Sequence, residues 1–224
     1  MTADDVKMII LDLDGTLYDI NDVIGNVYNY QVMFLSSKLN KTSDDIKTYF
    51  ESHGIYSYVT KESKSATELF EQLGISKEEW KTYRNTHFDV KTIQKGKAVG
   101  ESSIRSLGTN HILVLLSSNT MATIEKILSH IGIPKDLFFK IICSDSFSSK
   151  QGFNKKKAME YLAAEEDIPF CSMLSIGDRY LTDIKPMTTL GGTGILLQTP
   201  KALEKVAKDI EENNLMSCNE YELY

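Results

Sequence analysis

The chain has 224 residues, of which 42% are apolar and 25% charged, with a formal net charge of -6. That length can bury one core, or one core with an insertion, while the acidic balance leaves no electrostatic footprint for nucleic acid or an anionic membrane. No apolar run approaches the ~20 residues that span a bilayer, and the acidic start from Met1 to Asp5 lacks the basic character of a signal peptide, so a cytoplasmic protein is expected.

The first element is an apolar run, Met8-Ile9-Ile10-Leu11, that breaks at Asp12-Leu13-Asp14-Gly15-Thr16 and resumes at Leu17-Tyr18-Asp19. The pattern predicts a strand over Lys7 to Leu13 that ends in a charged turn, with Gly15 letting the chain bend away. Side chains at i and i+2 of a strand share a face, so Asp12 and Asp14 are expected to project together. Adjacent carboxylates repel, and they need a cation, hydrogen bonds or a raised pKa in one partner to coexist. A solvated Asp-Gly turn is the plainer alternative.

After Asp19 the periodicity turns helical. Val27, Tyr30, Phe34, Leu35 and Leu39 form one apolar face of a helix over Val23 to Leu39. Thr42 to Asp45 offers a cap for a second helix through Phe50. Ser65 to Glu68 and Ser76 to Glu79 read as capping boxes opening a third and a fourth. Tyr28, Tyr30, Phe34, Tyr49, Phe50, Tyr56, Tyr58, Trp80 and Tyr83 crowd this region. They are expected mainly in a small-bundle core, since aromatics supply large buried area; some could face a ligand.

Beyond Val99 strands and helices alternate. Ile112 to Leu116 is a continuous apolar run ending at Ser117-Ser118-Asn119, as in a strand covered on both faces. A helix from Thr120 to Ile131, a strand from Phe138 to Cys143, a helix from Asn154 to Glu166, strands at Met173 to Ile176 and Gly194 to Leu197, and a helix from Lys201 to Glu212 follow. The polar end, Asn213 to Tyr224, is expected as a short edge strand or a packed tail. Cys143, Cys171 and Cys218 are far apart with no CxxC pair, and are expected reduced. The fold class is therefore α/β: a doubly wound parallel sheet over 1-19 and 97-224, interrupted by a helical domain over 20-96.

In open parallel sheets ligands bind beyond the carboxyl ends of the strands. The residues there are Asp12 and Asp14, then Ser117, Ser118 and Asn119, then Gly177, Asp178 and Asp183, with Lys155-Lys156-Lys157 opening the helix before the fourth strand. A hydroxyl, a lysine and several acids at one edge suit phosphoryl transfer with Mg²⁺, which takes oxygen ligands and few carboxylates. An aspartate can attack phosphorus. Asp12 is the candidate nucleophile and Asp14 the candidate general acid and base. Asp12 and Asp178 are the candidate carboxylate ligands of the metal. Ser118, Asn119 and a lysine are the candidate groups for the phosphoryl oxygens. Read singly, each has a plainer alternative: Ser118, Asn119 or Thr120 as a helix cap, the lysines as a solvated helix face, Gly177-Asp178 as a turn and Asp183 as a cap.

Taken together, Asp12 to Asp19, the strand ending at Ser118-Asn119, and Gly177-Asp178-Arg179-Tyr180-Leu181-Thr182-Asp183 resemble three motifs of the haloacid dehalogenase-like (HAD) hydrolases. The resemblance implies a Rossmann-like core with an all-helical cap that closes over the site and largely sets substrate choice. It also implies metal contact through Asp12, the Asp14 backbone carbonyl and Asp178, with Asp183 and Thr16 supporting. The motif lysine is Lys155 at the start of its helix, with Lys150 as rival, although Gln151 stands where relatives of that second type carry proline. Dehalogenase members lack the second acid, so Asp14 points to phosphoryl transfer.

A phosphatase for a small phosphorylated metabolite, acting as monomer or homodimer, is the leading expectation; nucleoside monophosphate, phosphoglycolate and sugar phosphates are candidate substrates. A phosphomutase is the enzymatic alternative. A phospho-accepting receiver, with Asp145 as acceptor, is the alternative of another class.

Overall fold

The computed structural model describes residues 5-57, 66-147, 153-216 and 218-224. Tyr58, Ser65, Lys150 and Gln151 lie outside the described residues. The chain divides into two compact units, Met1–Asp19 with Ile93–Tyr224, and Ile20–Thr92.

The first unit is built on a six-stranded sheet: β1 (Met8–Leu11), β2 (Ile112–Leu116), β3 (Lys140–Ile142), β4 (Met173–Gly177), β5 (Thr193–Leu197) and β6 (Tyr221–Leu223), in the order β3-β2-β1-β4-β5-β6. β1 is central because all four of its residues are apolar and buried, which suits a strand covered on both faces. The pairings are parallel except at the edge, where β6 runs antiparallel to β5. The sheet is thus mixed, and the polar tail closes its edge.

Met8, Ile10, Val114, Leu116 and Ile142 share one face, and Ala158, Met159 and Leu162 of α7 (Lys155–Glu165) cover it. Alternate residues Ile9, Leu11, Leu113 and Leu115 are buried on the other face. There α5 (Glu101–Asn110) packs on β2 and on α9 (Ala202–Glu211). The sequence pattern does not reveal α5: only Ile104 and Leu107 are buried along it, among serines, a threonine and a glycine with weak helix preference. Packing holds it.

Two further helices belong to this unit. α6 (Met121–Ile131) starts at Thr120, whose hydroxyl accepts from Thr123 N at 3.3 Å. The short α8 (Lys185–Thr189) follows a π-turn over Tyr180–Ile184.

Among the described residues the second unit holds four α-helices: α1 (Asn21–Leu39), α2 (Ser43–Ser52), α3 (Ala66–Gln72) and α4 (Lys77–His87). Thr42 and Ser76 cap α2 and α4 reciprocally with Asp45 and Glu79, so each box satisfies two otherwise unpaired N–H groups. Tyr28, Phe34, Phe50, Phe70 and Trp80 form the core of this unit, while Tyr30, Tyr49 and Tyr83 pack against it partly buried. No helix among the described residues is long and apolar enough to cross a membrane.

Candidate active site

Parallel register brings Leu11 beside both Leu115 and Ile176, so the residues after β1, β2 and β4 gather at one sheet edge. β1 stops at Leu11, two residues short of the expected end, and Asp12 N donates to Ile176 O at 3.0 Å. Strand alternation therefore does not govern Asp12 and Asp14. Gly15, with φ of 78°, turns the chain, and the two carboxylates meet different partners.

Asp12 meets Lys155. The Lys155 ammonium donates to Asp12 Oδ1 at 2.6 Å and to Asp183 Oδ1 at 2.7 Å. Lys155 reaches them because Asn154 caps α7, its side chain accepting from Lys157 N, which places the lysine in the first turn.

Asp14 is held elsewhere. Asn119 Nδ2 donates to its Oδ2 at 2.6 Å, and the buried Tyr18 hydroxyl donates to its Oδ1. Asn119 is buried, with its N–H on Ser117 Oγ. Ser118 beside it is exposed, while Ser117 is buried in the sheet.

Asp183 is fixed from all sides. Arg179 N donates to its Oδ2 and Thr182 Oγ1 to its Oδ1, both at 3.0 Å, and Ser175 Oγ donates to its backbone carbonyl at 2.8 Å. Gly177 is needed here, because a Cβ at that position would overlap the Asp183 side chain. By contrast, Asp178 Oδ1 is buried without a hydrogen-bond partner among the described residues. The Thr16 hydroxyl is likewise buried and unpartnered among them.

Carboxylates outnumber the ammonium. Burial, reinforced by Asp183 and Asp14, pushes Asp12 up to about 8 despite the opposing Lys155 charge. Burial and Asp183 likewise push Asp178 up to about 6. Burial alone would lower Lys155, but the Asp12 and Asp183 charges overcome it and hold the ammonium above its ordinary value.

Carboxylate oxygens of Asp12, Asp178 and Asp183 lie within 4.8 Å of one another. An all-oxygen set with excess negative charge and an orphaned Asp178 oxygen fits a hard divalent cation.

Of the residues singled out in the sequence, Asp12, Asp14, Asn119, Lys155, Asp178 and Asp183 are brought together. Ser118 stands at the end of β2 and Thr16 beneath the turn, each without a bond to these groups among the described residues. Tyr18, Ser175 and Thr182 carry no role in the sequence reading. Tyr18 had a weak signal, four residues beyond Asp14 within one turn. Asp145, the acceptor in a receiver reading, instead caps α6, its Oδ2 accepting from Met121 N at 2.8 Å.

A family profile for haloacid dehalogenase-like hydrolases matches residues 9–187; the chain belongs to this family. Among solved structures it is similar to a HAD phosphatase from Thermococcus onnurineus, with TM-score 0.62 and 15% identity over 94% of this chain and 100% of that one. It is also similar to the HAD-hydrolase YfnB of Bacillus subtilis bound to magnesium, with TM-score 0.51 and 17% identity over 84% and 87%. A third is beta-phosphoglucomutase from Clostridium difficile, with TM-score 0.52 and 16% identity over 92% and 98%. At these identities the likeness is one of fold. No curated protein matches the sequence.

Proposed function

We propose that the protein is a Mg²⁺-dependent phosphatase of small phosphomonoesters. The observation that carries this reading is the separation of the two motif acids: Asp12 is paired with Lys155, whereas Asp14 is held apart by Tyr18 and Asn119. Two carboxylates in different surroundings can take different roles. In the first step an Asp12 oxygen attacks phosphorus and the bond to the leaving oxygen breaks, while Asp14 delivers a proton to that oxygen. In the second, water attacks the phosphorus of the aspartyl-phosphate, Asp14 takes its proton, and the Asp12 carboxylate is released with inorganic phosphate.

Lys155 orients Asp12 and offsets negative charge, and the exposed Ser118 would donate to a phosphoryl oxygen. Asp12 and Asp178 would hold Mg²⁺ together with the Asp14 carbonyl, and Asp183 supports them. When bound, the ion supplies positive charge against the phosphoryl oxygens. Magnesium in the similar Bacillus subtilis structure supports this assignment. The compact helical unit supports reading Ile20–Thr92 as the cap that sets substrate choice.

The test is phosphate release from an aryl phosphate with and without Mg²⁺, alongside Asp12→Asn. Release that depends on Mg²⁺ and is lost in a folded Asp12→Asn supports the reading; undiminished activity in that variant overturns it. The similar beta-phosphoglucomutase keeps a phosphomutase as second reading. Transfer to a second sugar hydroxyl, rather than to water, would establish it.

A further inference from the structure

The two donors on Asp14 are not equivalent. The Asn119 amide nitrogen can only donate, so Asp14 Oδ2 is an acceptor whatever the protonation of the carboxyl. The Tyr18 hydroxyl on Oδ1 can donate to a carboxylate and, by rotating its O–H, accept from a carboxylic acid. Both side chains are buried, with Tyr18 1% and Asn119 2% exposed, so neither is free to turn to solvent. They come from different elements, Tyr18 from the turn after β1 and Asn119 from the end of β2, and grip the carboxyl at both oxygens.

We infer that Tyr18 and Asn119 are positioning residues for proton delivery: gripping one oxygen each, they fix the orientation of the Asp14 carboxyl. The inference rests on the phosphatase reading. It also gives Asn119 a task beside the phosphate contact expected of it in the sequence, since one N–H of its amide is engaged by Asp14.

A residue acting through the general acid must matter in proportion to how much the leaving group needs a proton. Alkyl phosphates leave as strongly basic alkoxides; nitrophenyl phosphates leave as weakly basic phenolates. The measurement is kcat/KM, which covers steps only through departure of the leaving group, for an alkyl and a nitrophenyl phosphate with Mg²⁺ present. Tyr18→Phe keeps the ring that fills the buried slot and removes only the hydroxyl.

General acid catalysis is worth about 10²–10⁴-fold, and loss of its alignment is expected to cost about tenfold or more of this for the alkyl ester. The nitrophenyl ester should change by less than about threefold. Asn119→Ala should show the same selective loss. On an Asp14→Asn background Tyr18→Phe should add nothing, since residues acting as a unit are not additive.

Equal losses for the two esters in both variants, or a full additional loss on the Asp14→Asn background, overturn the inference while leaving the phosphatase reading standing. If the wild-type protein releases phosphate from neither ester, that reading fails and the inference with it.

Discussion

Gly15 and Asp178, distant in sequence, approach so closely that a Cβ built on Gly15 would overlap the Asp178 carboxyl. Gly15 also sits at φ of 78°, in the left-handed region. Gly15→Ala is therefore expected to incur about 1–2 kcal/mol of backbone strain and also to displace Asp178. Thermal melts should show the loss of stability. Release of phosphate from an aryl phosphate, the proposed activity, should fall more steeply than stability does.

Lys155 is the ammonium between Asp12 and Asp183, and its removal leaves buried carboxylates facing one another. Lys155→Met is expected to lose about 3 kcal/mol of stability in urea titrations, together with activity. Mg²⁺ should restore part of that stability, since a cation replaces one missing charge. An unchanged urea midpoint would show that the pair contributes nothing net.

The metal-free protein should weaken as pH rises. Asp12 and Asp178 stand at about 8 and about 6 in the folded chain, above their ordinary 3.8. The native state therefore binds more protons than the unfolded state between these values, and stability declines as the groups are forced to ionise. With EDTA present, the melting temperature should fall across pH 4 to 8 on account of these groups. Saturating Mg²⁺ should flatten the decline. At a hundredfold excess over Kd it contributes about 2.7 kcal/mol, and Asp178→Asn should shrink that gain.

Asp209 on α9 anchors the edge strand: the Tyr221 hydroxyl donates to its Oδ2 at 2.7 Å, and Lys205 binds both oxygens. Burial would raise Asp209, but Lys205 and Tyr221 hold it below its usual value. Its contribution is present above the unfolded value and is lost as pH falls through the folded one. Tyr221→Phe should cost about 1.5–3 kcal/mol, the range for a hydrogen bond to a charged group. That loss, read in urea titrations, should shrink in acid as Asp209 protonates.

Local chemistry determined most of the element boundaries in advance. Thr42, Ser76, Thr120 and Asn154 can each satisfy a helix N–H group within a few residues, and Met8 to Leu11 or Ile112 to Leu116 can only be buried. The acids, serines and lysine that follow these elements were legible for the same reason, since parallel strands deliver their carboxyl ends to one edge.

Tertiary structure decided what each group touches. Asn119 meets Asp14 across 105 residues, and Lys155 meets Asp12 across 143; no local periodicity encodes such pairings. The early end of β1 at Leu11 and the left-handed turn at Gly15 send Asp12 and Asp14 to different partners, although simple strand alternation would have put them side by side. α5 was hidden, and the tail strand β6, expected as a short edge strand or a packed tail, carried no direction in the sequence, because nonlocal packing holds both: α5 against β2 and α9, and β6 through its pairing with β5 and Tyr221's bond to Asp209. The sequence by itself determined which chemical groups reach the sheet edge. Only long-range packing, which sets distances between groups far apart in the chain, decided how they divide their work.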